Sequence, residues 1–266
     1  MVDVVCAELQ LEGTRVHADV AIRAGGTTVN AAIAAAAAGA DATVVGRVGS
    51  DPSAELVSAA LADQNVAAHL ARDPELSTGV AVALGSSVVA HRGANAQLSP
   101  EDIPERLDAE ALLVSGFALF QTGSRDAARA ALERSSGRWA AVDLASPKLA
   151  DLELTTGANV VLATAEEARA VTGSEPEEAA RALASRFELA VVKLGEDGAI
   201  IVRGDRMERA AAEPVERRSA FGAGDAFAGA LLVALAEDDS LERALELACE
   251  AGARAAATQH EIGILP

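Results

Sequence analysis

The heptapeptide Phe221-Gly222-Ala223-Gly224-Asp225-Ala226-Phe227 places a carboxylate where a glycine turn runs into an apolar stretch of helical length, Ala226 to Ala236. A turn of this kind aims free backbone N–H groups at one point and adds the positive end of a helix dipole, so anions collect there, phosphate foremost. The stretch predicts a helix starting near Ala223, with Asp225 in its first turn. An acid at that position also simply complements the dipole, so the motif alone leaves its role open. A second glycine turn, Gly25-Gly26-Thr27-Thr28-Val29-Asn30, precedes an alanine-rich run. Its glycines let a ligand approach the backbone closely, and Asn30 is suited to bonding hydroxyls. Taken alone, a Gly-Gly before a helix is more often a tight turn.

These residues need a scaffold, and the chain predicts one. Short β-rich runs alternate with helical stretches almost from end to end, the pattern of an α/β fold: a doubly wound, mainly parallel sheet with helices on both faces. Core strands are expected at Val2 to Cys6, Ala42 to Val45, Ala111 to Val114, Trp139 to Asp143, Val160 to Ala163, Ala190 to Leu194 and Ala199 to Val202. Helices are expected at Thr28 to Ala38, Ser53 to Asp63, Pro100 to Leu107, Arg125 to Ser135, Glu166 to Val171, Glu177 to Ser185 and Leu241 to Thr258. Two segments break the alternation. Thr14 to Arg23 alternates apolar and polar residues like a strand with one wet face, and Thr78 to His91 reads as a hairpin turning at Gly85-Ser86-Ser87. Together, residues 13–24 and 78–92 are expected to form a small, reduced β lid over one end of the main sheet. The plain alternative is an extension of the core sheet's edge.

Bulk properties narrow the function classes. A chain of 266 residues fits a single α/β domain, here 1–266. A net charge of -18 argues against nucleic acid, whose binding rests on clustered Lys and Arg. Cys6 and Cys249 are too few and too widely spaced for a disulfide scaffold or a metal knuckle. Met1 to Gln10 lacks a basic n-region and a long apolar core, and the Ala34 to Ala38 run is interrupted too soon to span a bilayer. A cytoplasmic protein without a membrane partner is expected.

Between the two glycine motifs stand Val45-Gly46-Arg47-Val48-Gly49-Ser50-Asp51-Pro52, Arg92-Gly93-Ala94-Asn95-Ala96 and Val192-Lys193-Leu194-Gly195-Glu196-Asp197-Gly198-Ala199. This ordered set resembles the ribokinase-like carbohydrate kinases, the PfkB family, from about Val2 to near the C-terminus. Within the family, Val114-Ser115-Gly116-Phe117-Ala118-Leu119, Val142-Asp143 and Val192-Lys193-Leu194-Gly195 look most like 2-keto-3-deoxygluconate kinases. The resemblance implies phosphoryl transfer from ATP, with Mg2+, to a hydroxyl of a sugar or sugar acid. It makes Asp225 the base and the backbone of Gly222, Ala223 and Gly224 the anion hole. Gly25, Gly26 and Asn30 match sugar-contacting positions, Arg92 matches an arginine facing a sugar acid carboxylate, and Lys193, Gly195 and Gly198 match the nucleotide side.

Several positions depart from the family pattern. Ser219-Ala220-Phe221 stands where many relatives carry an Asp-Thr pair that helps bind a monovalent cation, which puts potassium activation in doubt. Glu167 matches a residue tied to magnesium, yet Thr164 replaces the partner asparagine, and Thr164 with Glu167 also forms a capping box. Glu12 stands near a sugar-binding Asp position and could substitute for it. A short lid excludes water less completely, so either a subunit partner finishes the site, as in a homodimer formed through the lid, or hydrolysis of ATP competes.

Two other classes of function compete with this reading. A catalytically weak, ligand-binding or regulatory relative fits the altered ionic residues, whereas the intact glycine-acid motif favours a kinase. A nicotinamide-dependent dehydrogenase wants its glycines after the first strand, and here they come late. Among kinase substrates a nucleoside is disfavoured, because aromatic residues make up only 2% of the chain, leaving little to stack a base. Phe117 and Phe120 are the exceptions, and both are expected to pack in the core.

Overall fold

The computed structural model describes residues 1–6, 20–84, 87–215 and 222–258. Its largest unit is a six-stranded sheet built from the second half of the chain. Before it come β1 (Val2–Cys6), β2 (Val20–Ala24), α1 (Thr27–Ala37), β3 (Thr43–Gly49), α2 (Pro52–Asp63), β4 (Ala67–Asp73), β5 (Thr78–Leu84) and β6 (Ser87–Gly93). The second half supplies β7 (Ala111–Ser115), α3 (Gly116–Leu119), α4 (Arg125–Arg134), β8 (Trp139–Asp143), β9 (Val160–Thr164), α5 (Ala165–Thr172), α6 (Pro176–Ala184) and β10 (Leu189–Lys193). It ends with β11 (Ala199–Arg203), β12 (Arg206–Ala210), α7 (Ala223–Ala236) and α8 (Leu241–Thr258).

In the large sheet β7, β8, β9 and β10 run parallel, with β11 and then β12 added antiparallel at one edge. Side chains alternate across it as strand geometry requires. Val161, Ala163, Val142 and Val192 face α4, α5 and α6, while Val160, Leu162, Ala141 and Val191 face α7 and α8. A sheet buried on both faces explains why these strands read as continuous apolar runs. Helix α7 is buried from Ala226 to Leu235, as befits a helix covered on all sides. Trp139, 4% exposed, opens β8 with its indole N–H donating to the Leu235 carbonyl at 2.9 Å. The guanidinium of Arg138 lies 4.0 Å from its ring centroid, and that of Arg203 5.6 Å.

The first half forms two further sheets, and here the expectations change. Val2–Cys6 is not a strand of the large sheet. It pairs antiparallel with β2 and parallel with β5, and β6 closes a four-stranded sheet of order β2-β1-β5-β6. Of its three valines only Val2 is buried, packing with Val29, Val44, Val57, Leu61 and Val66. The register sets Ile22, Val4, Val82 and Val89 side by side on one face of this sheet. Ile22 is 57% and Val89 65% exposed.

Strand β3 is longer than expected and pairs in parallel with β4, a strand the sequence did not announce because Ala67–Asp73 lacks β-branched residues and is largely exposed. Strand β12, with its charged residues, was likewise not expected. The helix expected over Pro100 to Leu107 is a correction: only one 3-10 turn forms, Pro100–Asp102. Pro104 drives Ile103 out of the helical region, to φ -92° and ψ 127°. Phe120 packs in the core as expected, but Phe117 is 44% exposed. No helix among the described residues is long and apolar enough to cross a membrane.

Candidate active site

The parallel strands β8, β9 and β10 end together at Asp143, Thr164 and Lys193. Open α/β sheets bind ligands outside these carboxyl ends. Lys193 Nζ donates to Asp143 Oδ2 at 2.6 Å, with the side chains 12% and 6% exposed. Burial alone would lower the lysine's pKa, but the charge and hydrogen bond of Asp143, then the charges of Glu167 and Asp225, hold it above its usual value. The ammonium therefore stays charged. It also reaches the start of α7, because a Cβ on Gly224 would lie 3.5 Å from Nζ.

Gly222 sets that start. Its φ of 85° is the left-handed conformation glycine adopts freely, and Ala226 N–H bonds back to its carbonyl at 2.8 Å. The N–H groups of Ala223, Gly224 and Asp225, in the helix's first turn, have no intrahelical acceptor. Asp225 is anchored from the opposite side: Asn30 Nδ2 donates to Asp225 Oδ2 at 2.8 Å. Asn30 sits in the first turn of α1, which begins after Gly26 at φ 89°. Helix α1 can come this close because a Cβ on Gly229 of α7 would overlap the Ala31 carbonyl oxygen. Burial pushes the Asp225 carboxyl up. The Asn30 bond opposes this, Asp143 adds to it, Lys193 opposes it and Asp3 adds again, leaving a pKa of about 6.

The remaining expected residues fall in different places. Glu167 is 6% exposed and completes the capping box: its Oε2 accepts from Thr164 N–H at 2.8 Å, and Thr164 Oγ1 accepts from Glu167 N–H at 3.2 Å. Burial raises its pKa, the Thr164 backbone bond opposes this, and Asp143 adds to the rise while Lys193 counters it. Gly195, at φ 66°, faces open space. Gly198 has a packing reason, since a Cβ there would overlap the Ala210 carbonyl oxygen of β12. Arg92 donates to Gln121 Oε1 at 3.2 Å, Ser124 Oγ at 2.5 Å and the Asn95 carbonyl at 3.4 Å, and burial lowers its pKa. The Gln121 and Ser124 bonds tie it to the segment between α3 and α4, and the Asn95 bond to the turn just after β6, rather than to Asp225. Gly25 packs on the Asp3 carboxylate. Glu12 and Ser219 to Phe221 lie outside the described residues.

In the sequence Asp143 reads only as a strand end, and Asp3 carries no signal of its own. An acid closing a fully buried parallel strand is the signal that would have marked Asp143. The ammonium of Lys193 and the first turn of α7 suit the phosphates of a nucleotide. Among the described residues no group of three or more His, Cys, Asp or Glu is arranged to hold a metal. A magnesium ion carried mainly by substrate phosphates and water needs only one or two carboxylates, which Glu167 and Asp143 could supply.

The model of the pfkB family carbohydrate kinases matches residues 1–264. A fructokinase from Vibrio cholerae O395, solved in a form binding fructose, ADP and calcium ion, is 27% identical with a TM-score of 0.82, over 98% of this chain and 91% of that one. A PfkB protein from Polaromonas sp. JS666 is also 27% identical, with a TM-score of 0.77 over 96% and 92%. An adenosine kinase from Sinorhizobium meliloti, 24% identical, shares the fold with a TM-score of 0.84 over 100% and 93%. With the ribokinase-like α/β architecture, this match over nearly the whole length shows that the chain belongs to the pfkB family of carbohydrate kinases.

Proposed function

We propose that this protein transfers the terminal phosphoryl group of ATP to a hydroxyl of a sugar or sugar acid, with Asp225 as the base. The observation that carries this reading is the Asn30–Asp225 bond at the mouth of α7, beside the Lys193 ammonium. Oδ2 of Asp225 is occupied by Asn30, which leaves Oδ1 to take the hydroxyl proton. As the O–H bond breaks, the sugar oxygen forms its bond to phosphorus, and the bond to the leaving ADP oxygen opens. The N–H groups of Ala223 and Gly224 and the dipole of α7 meet the charge on the transferred group, and Lys193 meets the charge of the phosphates. Gly222 shapes that cradle, and Gly195 and Gly198 give the nucleotide-side turn its shape. Magnesium, when bound with ATP near Glu167, spreads the phosphate charge. A carboxylate with a pKa of about 6 is a better base than an ordinary Asp and is still mainly ionised at neutral pH.

On the substrate side, Gly25, Gly26 and Asn30 would meet the sugar, with Glu12 a further contact. Arg92, desolvated and bonded to neutral oxygens, suits a carboxylate on the substrate, which favours a sugar acid of the ketodeoxygluconate kind. The sheet β2-β1-β5-β6 is read as the lid of a single-domain protein. Its exposed Ile22 and Val89 support a homodimer formed lid to lid. A second reading, a weak ligand-binding relative, is favoured by the engagement of Glu167 in its own capping box. The deciding experiment incubates the protein with Mg-ATP and a panel of ketoses, pentoses, aldonic acids and nucleosides. Phosphorylation of an acid that falls sharply in Arg92→Gln supports the sugar-acid reading. Failure across the panel, with sugar binding still seen by calorimetry, supports the weak relative.

A further inference from the structure

Arg92 is gripped by a buried hydroxyl that no step of the reaction uses. Ser124, fully buried at the entry to α4, accepts from Arg92 Nη2 at 2.5 Å and donates to the Ala118 carbonyl at 2.8 Å. A serine hydroxyl has one proton, and with that proton committed to Ala118 its lone pairs are fixed in direction. One of them meets the guanidinium. The anchor behind it is stiff. Helix α3, which holds Ala118, starts at Gly116, and a Cβ there would overlap the Asp143 carbonyl at the end of β8. Arg125 bonds the next two carbonyls, those of Leu119 at 3.3 Å and Phe120 at 3.2 Å. Three carbonyls that a helix end leaves without partners are thereby taken. Alternation along β6 sets Arg92 on the face of Ala90, and the register carries that face across the sheet to Ala81, Asp3 and Arg23. Asp3 packs on Gly25 at the turn before α1, so this face is the one turned toward Asn30 and Asp225.

We infer that Ser124 is a positioning residue for substrate specificity: it holds the Arg92 guanidinium, from the core, in the direction in which it meets an acidic group on the sugar. The inference rests on the sugar-acid reading of Arg92 and adds what makes that arginine selective. A free arginine loses much rotamer freedom when it binds a ligand, and a fixed partner removes that cost beforehand. The partners are also of the right kind. Ser124, Gln121 and the Asn95 carbonyl are neutral, so they orient the guanidinium without cancelling its charge, which stays whole for the substrate. Three of its five N–H groups go to these oxygens, which leaves two for a ligand.

The test is calorimetry with 2-keto-3-deoxygluconate as the acidic probe and fructose as the neutral one, each with ADP present. It compares the parent with Ser124→Ala, Ser124→Thr, Arg92→Gln and the double variant of Ser124→Ala with Arg92→Gln. In Ser124→Ala the Kd of the acid should rise about tenfold, while fructose and ADP bind as they do to the parent. Ser124→Thr keeps the hydroxyl and should restore most of the acid affinity. The double variant should bind the acid no more weakly than Arg92→Gln alone. Turnover should show the same split, a higher KM for the acid with kcat unchanged. Parental acid affinity in Ser124→Ala would overturn the inference, and so would an equal loss for acid and fructose, since the serine would then serve the fold alone. A parent that binds no acid overturns both the inference and the sugar-acid reading. Acid binding without phosphorylation removes the kinase reading alone, and the Kd comparison still decides Ser124. Should Ser124→Ala fail to fold, Ser124→Cys, close in size but a weak acceptor, carries the same decision.

Discussion

Gly229 of α7 lies flush against the carbonyl of Ala31 in α1, with no room for a Cβ between the two backbones. The two helices therefore meet closer than side chains would allow, one turn beyond the Asn30–Asp225 bond. Gly229→Ala should force them apart. We expect about 1–3 kcal/mol of lost stability, the usual cost of overpacking, and a fall in kcat larger than that loss explains at temperatures well below the melting point. Chemical denaturation and turnover at low temperature together check this. Parental turnover would show that the helix contact does not set the base.

Asp225→Asn should remove most of the chemistry, by roughly 100- to 10,000-fold in kcat, while ATP affinity by calorimetry stays near the parent. The same variant should be more stable than the parent at pH 8. The folded carboxyl has a pKa of about 6 against 3.8 for an ordinary Asp, so the folded state holds its proton more tightly. Stability from this group is thus present below pH 3.8 and lost as the pH rises through about 6. Above that, the buried charge costs about 1–3 kcal/mol, which the amide does not incur. A variant less stable than the parent at pH 8 would contradict the assigned shift.

The pH profile follows from the same group. A base must be unprotonated, so kcat/KM for the sugar should fall as pH drops below about 6 and level off above it. A rate limb at the ordinary Asp value would mean that Asp225 is wetter during catalysis than its surroundings indicate.

Lys193 and Asp143 form a dry ion pair, and cutting one partner strands the other. Lys193→Met should cost about 3–5 kcal/mol of stability and raise the KM for ATP. Lys193→Met combined with Asp143→Leu should recover much of the stability, since two apolar groups replace two charges, while the ATP defect remains. Recovery of both would show that the lysine serves the fold alone.

The parallel half of the fold was readable because burial on both faces leaves an unmistakable mark: Val160 to Ala163 and Leu189 to Val192 are apolar without interruption. The strands that escaped notice, Ala67–Asp73 and Arg206–Ala210, lie at sheet edges and keep a wet face, so their alternation is diluted by alanine and charge. The Pro100 to Leu107 helix failed on local chemistry, because Pro104 forbids what Ser99 and Asp102 begin. In the site, Asn30 and Asp225 were each legible as motif residues, but their contact spans 195 positions and only the packing of α1 on α7 creates it. Asp3 was illegible because a single acid in an apolar strand looks like ordinary alternation.

Trp139 gives the protein one native fluorophore, and its position decides what that fluorophore reports. It opens β8 where Asp143 closes it, so indole and site lie at opposite ends of the strand, about 13 Å apart along it. The indole is held dry beside the guanidinium groups of Arg138 and Arg203, so its emission should be blue and should shift to red only when the sheet itself opens. Intrinsic fluorescence will therefore follow global unfolding and stay quiet when sugar or nucleotide arrives, so ligand binding is better followed with a label placed on α1.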